Sequence, residues 1–176
     1  MKFLMKAALV SLLALSGCAS MSVDDFAGGR PEMALDQYFP GKTTAYGMFF
    51  DRNNNVKRQF VVDMTGAWDG STLKLDEDFT YSDGEKQQRH WTFVKQADGS
   101  WIGTAPDVIG EAHGRTVGNA YNMKYVVDLK AGDSTYRVNF DDWLFRQSAD
   151  VVLNRAVVTK FGFEVGMVQL AFVKPH

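Results

Sequence analysis

"LKLDEDFTYSDGEKQQRHWTF", Leu73 to Phe93, sets two alternating runs about a turn. Side chains of a strand alternate between its faces, so Leu73, Leu75, Glu77, Phe79 and Tyr81 share one side of the first run. Arg89, Trp91 and Phe93 share one side of the second. A three-residue loop, Ser82-Asp83-Gly84 with Gly84 left-handed, places Tyr81 opposite Glu85. The same register sets Glu77 against Arg89, Leu75 against Trp91 and Leu73 against Phe93. A loop one residue shorter or longer loses these matches. The stretch is therefore an antiparallel hairpin, and it predicts a Glu77–Arg89 pair on an otherwise apolar face. Removing one partner of such a buried pair costs about 3–5 kcal/mol, because the other charge is stranded.

The same grammar repeats along the chain. Asn53-Asn54-Asn55, Asp83-Gly84, Asp98-Gly99 and Gly132-Asp133 punctuate runs rich in valine, phenylalanine, tyrosine and threonine. Turn residues between alternating runs are hairpin signals. Nine strands are expected, over Thr43–Asp51, Val56–Thr65, Leu73–Tyr81, Gln87–Lys95, Trp101–Ile109, Thr116–Leu129, Ser134–Gln147, Val151–Lys160 and Phe163–Lys174. Pro31–Phe39 invites a short helix or an extended lead-in. The expected fold is all-β: an antiparallel meander closed into a lipocalin-like barrel of about 8–10 strands, which removes the sheet edges. A two-sheet β-sandwich is the alternative.

The amino terminus carries an address. MKFLMKAALVSLLALSGCAS has a basic start at Lys2 and Lys6 and an apolar run from Ala7 to Leu15. That run is shorter than the ~18 residues of a spanning helix, so it reads as a secretory signal. Leu15-Ser16-Gly17-Cys18 resembles a bacterial lipobox, and Cys18 is the only cysteine in the chain. The expected division is a signal peptide over 1–17, an acylated tether over 18–30 and one β-barrel domain over 31–176. Lipidation at Cys18 implies a membrane partner, since more than one acyl chain anchors stably. Ala19 stands where an aspartate would resemble an inner-membrane retention signal, so the expected location is the periplasmic face of the outer membrane. Without Lys2 and Lys6, 17 basic residues face 21 acidic ones, a net charge of −4. Such a net charge gives no electrostatic footprint for nucleic acid or for acidic lipid headgroups.

Chemistry-bearing residues are few. Gly110, Ala112, Gly114, Thr116, Gly118 and Ala120 would line one side of a strand, leaving room for something bulky. Glu111, His113 and Arg115 would share the other side, unless a tight turn at His113-Gly114 scatters them. A metal site needs three or four ligands, and His113 has no cysteine or second histidine near it, so no metal and no cofactor is expected. No Gly-x-Ser-x-Gly elbow is present. Asp141 and Asp142 are adjacent in a strand, point apart and so cannot act as a dyad; Asp142 continues the apolar face of Tyr136, Val138 and Phe140.

Polar residues on faces that otherwise look buried form the candidate site. Arg58 shares a face with Phe60, Val62 and Met64, and Asn154-Arg155 interrupts the apolar run Val151–Val158, so that one of the two turns inward. Arg58, Glu77, Arg89, His113, Asp142, Asn154 and Arg155 are thus either a closed network that fixes register or the polar end of a ligand site. Arg155, Arg58 and Arg89 are the candidate partners of Asp142.

The stretches YFPGKTTAYG, RQFVVDMTGAWDG, LDEDFTYSDGEKQQRHW, GTAPDVIGEAHGRTVGNAY and FDDWLFRQSADVVLNRAVVTKFGFEVG together resemble the proteobacterial lipoproteins grouped as domain of unknown function 3833. That resemblance supplies no catalytic residue. Phe39-Pro40-Gly41 before the first strand is loosely similar to calycin and lipocalin barrels, although their Gly-x-Trp is absent there and Gly66-Ala67-Trp68 comes one strand later. The expected function is binding or carrying an apolar small molecule such as a lipid or fatty acid. The alternatives are an envelope assembly protein acting through outward residues such as Trp143, and a lipid-modifying enzyme using Glu77, His113 or Asp142. No motif supports the enzyme.

Overall fold

The computed structural model describes residues 21–131 and 134–175, apart from the side chain of Ala131. The expected signal segment and Cys18 lie outside the described residues. Ten strands run β1 Gly41–Asp51, β2 Val56–Trp68, β3 Thr72–Tyr81, β4 Lys86–Lys95, β5 Trp101–Thr104, β6 Val108–Val117, β7 Ala120–Ala131, β8 Ser134–Arg146, β9 Val151–Lys160 and β10 Phe163–Val173. Each is antiparallel to its sequence neighbours, and β10 pairs back onto β1 from Thr44↔Val173 to Asp51↔Gly166. This is a closed up-and-down barrel, not a sandwich. Closure gives every strand a neighbour on both sides over at least part of its length, and so removes the free edge strands of an open sheet.

The hairpin of β3 and β4 has the expected register, with Glu77 opposite Arg89, Leu75 opposite Trp91 and Leu73 opposite Phe93. Two expectations need correcting. Trp101–Ile109 is not one strand: Ala105-Pro106-Asp107 ends β5, because proline cannot donate to the ladder. Thr116–Leu129 is not one strand either, for Gly118-Asn119 turns the chain between β6 and β7.

The two ends of the barrel differ. Helix α1, Leu35–Tyr38, lies at the end of the β2–β3, β4–β5, β6–β7 and β8–β9 connections and plugs it. Leu35, Tyr38 and Phe39 are buried there with Leu73, Phe93, Trp101, Val152 and Phe172. The Tyr38 hydroxyl lies 2.9 Å from the Asp150 carbonyl and 3.0 Å from that of Phe172, tying the plug to the wall. At the opposite end the inward side chains Phe49, Phe60, Phe79, Tyr81 and Phe140 are only partly buried.

Residues expected to be tether are partly folded onto the wall. A 3-10 turn, Val23–Phe26, starts with a capping box between Ser22 and Asp25. Phe26 packs on Trp143 and Phe145, at 5.9 and 5.2 Å between ring centroids, and Arg115 donates to Asp24 at 2.8 Å. Gly118 lets this strap approach, since a Cβ there would fall 1.8 Å from the Phe26 carbonyl oxygen. Trp143 therefore faces outward but is buried, covered by the chain's own amino-terminal strap.

Candidate functional site

The inward rows of β3, β4, β7, β8 and β9 bring a polar cluster into the barrel. Alternation puts Asp142 inside and Asp141 outside, where Asn122 donates to Asp141 at 2.6 Å. Tyr125 donates to Asp142 Oδ2 at 3.0 Å. Asn154 bonds through Nδ2 to Asp142 Oδ1 and, at 3.0 Å, to the Trp143 carbonyl. Burial drives the Asp142 carboxyl up to about 6, against the pull of the two donors. The Tyr125 hydroxyl is pushed well above its ordinary range by burial and by the Asp142 charge.

Arg89 turns its Nε onto Asp107 Oδ1 at 3.0 Å rather than onto Glu77. Its guanidinium lies 4.5 Å from the Trp91 ring centroid and 5.9 Å from that of Tyr125. Glu77 has no hydrogen bond or ion pair among the described residues, and its pKa is raised to about 7 by burial, with Arg89 pulling the other way and Asp107 and Asp142 adding to the rise. Four polar atoms near this interior have no hydrogen-bond partner among the described residues: Arg89 Nη2, Asn154 Oδ1, the Tyr121 hydroxyl and Thr43 Oγ1. Buried polar groups normally find partners, so unpaired ones call for an explanation.

Arg58 belongs to the same inward row but sits at the rim of the open end. It lies 3.5 Å over the Tyr81 ring, donates to both carboxylate oxygens of Asp83 and pairs with Glu85.

The family model described as "Protein of unknown function (DUF3833)" matches residues 12–174. The chain belongs to that family. No curated protein matches this DUF3833 chain. Among solved structures, a de novo designed fluorescence-activating β-barrel is similar at 14% identity with a TM-score of 0.41, over 81% of this chain and 99% of that one.

Of the candidate residues in this DUF3833 barrel, Glu77, Arg89, Asp142 and Asn154 share the interior. His113 and Arg155 do not: both are exposed on the outer wall. His113 has Glu111 at 3.8 Å, and Arg155 is the outward neighbour of the inward Asn154. The expected Asp142–arginine pair is replaced by Tyr125 and Asn154. The small-residue row of β6 does leave room for something bulky, which is the protein's own Tyr121: a Cβ on Gly114 would lie 2.1 Å from its hydroxyl. Tyr125, Tyr121 and Asp107 were not anticipated. The inward alternation Tyr121, Met123, Tyr125, Val127 marks the tyrosines, whereas Asp107 sits in a connection with no periodicity to reveal it.

Proposed function

We propose that this DUF3833 protein binds an amphipathic small molecule of the lipid class inside its barrel. The polar end would lie at Arg89, and the apolar part against the partly buried rings of Phe49, Phe60, Phe79 and Phe140. The observation that carries the reading is Arg89 Nη2, a buried nitrogen with no hydrogen-bond partner among the described residues, on a guanidinium that Asp107 holds only through Nε. A carboxylate or phosphate oxygen is the acceptor it fits, because charge-assisted hydrogen bonds out of water are the strong ones. Few convergent polar groups in an apolar concavity are the usual make-up of a ligand site. In the same reading Cys18 is acylated and holds the barrel on the periplasmic face of the outer membrane. Trp143, buried under the strap, gives no support to a partner surface at that position.

The test is mass spectrometry of lipids extracted from the purified protein, together with titration by a fluorescent fatty acid. Wild type is expected to carry or bind the probe, and Arg89→Gln to bind it about tenfold more weakly, the loss of one charge-assisted bond. A wild-type protein that neither carries lipid nor takes up the fatty acid overturns the proposal.

A further inference from the structure

The turn between β9 and β10 is built against the usual preferences. Lys160 pairs with Phe163, so Phe161 and Gly162 form a two-residue hairpin loop. Both have positive φ, 52° and 82°, the pattern of a type I′ turn, in which asparagine followed by glycine is favoured. The other non-glycine residue with positive φ among the described residues is Asn54, which suits that conformation. A phenylalanine there is an outlier, and backbone strain of this kind gathers at functional sites. Phe161 is also 87% exposed and Phe163 76%. The sequence thus accepts strain and exposed apolar surface together at one fingertip.

We propose that this fingertip docks the open end of the barrel on an anionic phospholipid surface. Two phenylalanines on a turn offer roughly 300–500 Å² of surface, well short of the ~800 Å² per partner of a stable protein interface. A bilayer needs no matching shape and accepts a protruding apolar tip. Cations flank the tip, as membrane-surface segments require. Lys160 Nζ lies 5.4 Å from the Phe161 ring centroid and 4.5 Å from that of Tyr136, so its ammonium sits against the aromatic rings at the tip. Acids on the rim are held within the protein: Asp51 by Lys57, Asp83 and Glu85 by Arg58, Asp128 by Arg137. Arg52 and Lys160, on the neighbouring β1–β2 and β9–β10 hairpins, have no carboxylate within 4 Å among the described residues, and Glu164 follows the tip on β10. Exposed Val165, Leu129 and Tyr136 extend the apolar surface around the same mouth. This contact is separate from acylation at Cys18 and does not depend on what the barrel holds.

The experiment uses the full chain with Cys18→Ser, which removes its only native thiol. Glu164→Cys beside the tip, or Ser148→Cys at the plugged end, then carries an environment-sensitive dye. On adding vesicles of phosphatidylethanolamine and phosphatidylglycerol, the dye at position 164 is expected to shift to the blue and the dye at 148 to stay as in water. Phe161→Asn with Phe163→Ser should weaken the response at 164 by at least about tenfold in lipid concentration. Because asparagine suits the turn, Phe161→Asn alone should leave the thermal midpoint unchanged or raised, separating docking from folding. No shift at 164, a shift that survives the double substitution, or an equal shift at 148 overturns the proposal. Lipid content of the interior plays no part in the readout, so the two proposals fail separately.

Discussion

Across the β6–β7 hairpin Tyr121, paired with Thr116, leans diagonally over Gly114, so that its hydroxyl lies 2.1 Å from where a Cβ on the glycine would fall. The barrel is filled at this level by one large ring set against a missing side chain. Overpacking such a contact costs about 1–3 kcal/mol, because the fully buried Tyr121 ring must shift to admit a Cβ. Gly114→Ala is expected to lower the midpoint of urea unfolding accordingly, and Gly114→Ala with Tyr121→Leu to recover part of the loss. If the two changes are simply additive, the residues do not compete for one space.

Protonation of Glu77 and Asp142 gives stability an unusual slope. Their folded pKa values are raised to about 7 and about 6 from ordinary values of 4.5 and 3.8. Between those limits the folded chain holds protons that the unfolded chain has lost, so stability is greatest on the acid side. It falls as pH rises from about 4 to about 7, by roughly 1–3 kcal/mol for each group. Glu77→Gln and Asp142→Asn should each flatten that fall. Urea midpoints at several pH values measure it, and a wild-type curve that rises over this range would contradict the assignment.

The strap is a further determinant of stability. Phe26 packs on Trp143 and Phe145 from outside, and Phe26→Ala removes that cover. A loss of about 1–3 kcal/mol is expected for a partly exposed ring, less than for a core phenylalanine. Trp143 emission should move to the red as its indole meets water, even where the barrel stays folded.

At the plugged end, Tyr38→Phe keeps the ring and deletes the hydroxyl that reaches the carbonyls of Asp150 and Phe172. The expected cost is about 1–2 kcal/mol, the price of leaving buried carbonyls short of a donor. Hydrogen exchange across the β8–β9 connection should quicken in the variant.

What the sequence made legible was local. The β3–β4 register followed from one loop length and from Gly84, whose φ is indeed positive. The partner of Arg89 did not follow, because Asp107 reaches it from a connection beyond β5. Alternation told correctly that Asp141 and Asp142 part company, and that His113 opposes the small residues of β6. It did not tell which face of β6 or of Asn154-Arg155 turns inward, since that depends on what fills the interior. Trp143 was placed outward correctly, but its cover comes from the strap, a segment whose small and polar residues give no period to read.

The wall is continuous, yet it is not equally strong all round. β5 has four residues, and its ladder with β4 ends at Thr92↔Thr104. From Lys86 to Trp91, β4 is therefore paired to β3 alone, while the register of β6 against β7 shifts between Ile109 and His113. The Arg89–Asp107 bond spans this gap as a single rivet. The barrel thus has a seam, a line along which it can open sideways while its nine other strand-to-strand joints hold. Amide exchange should begin there.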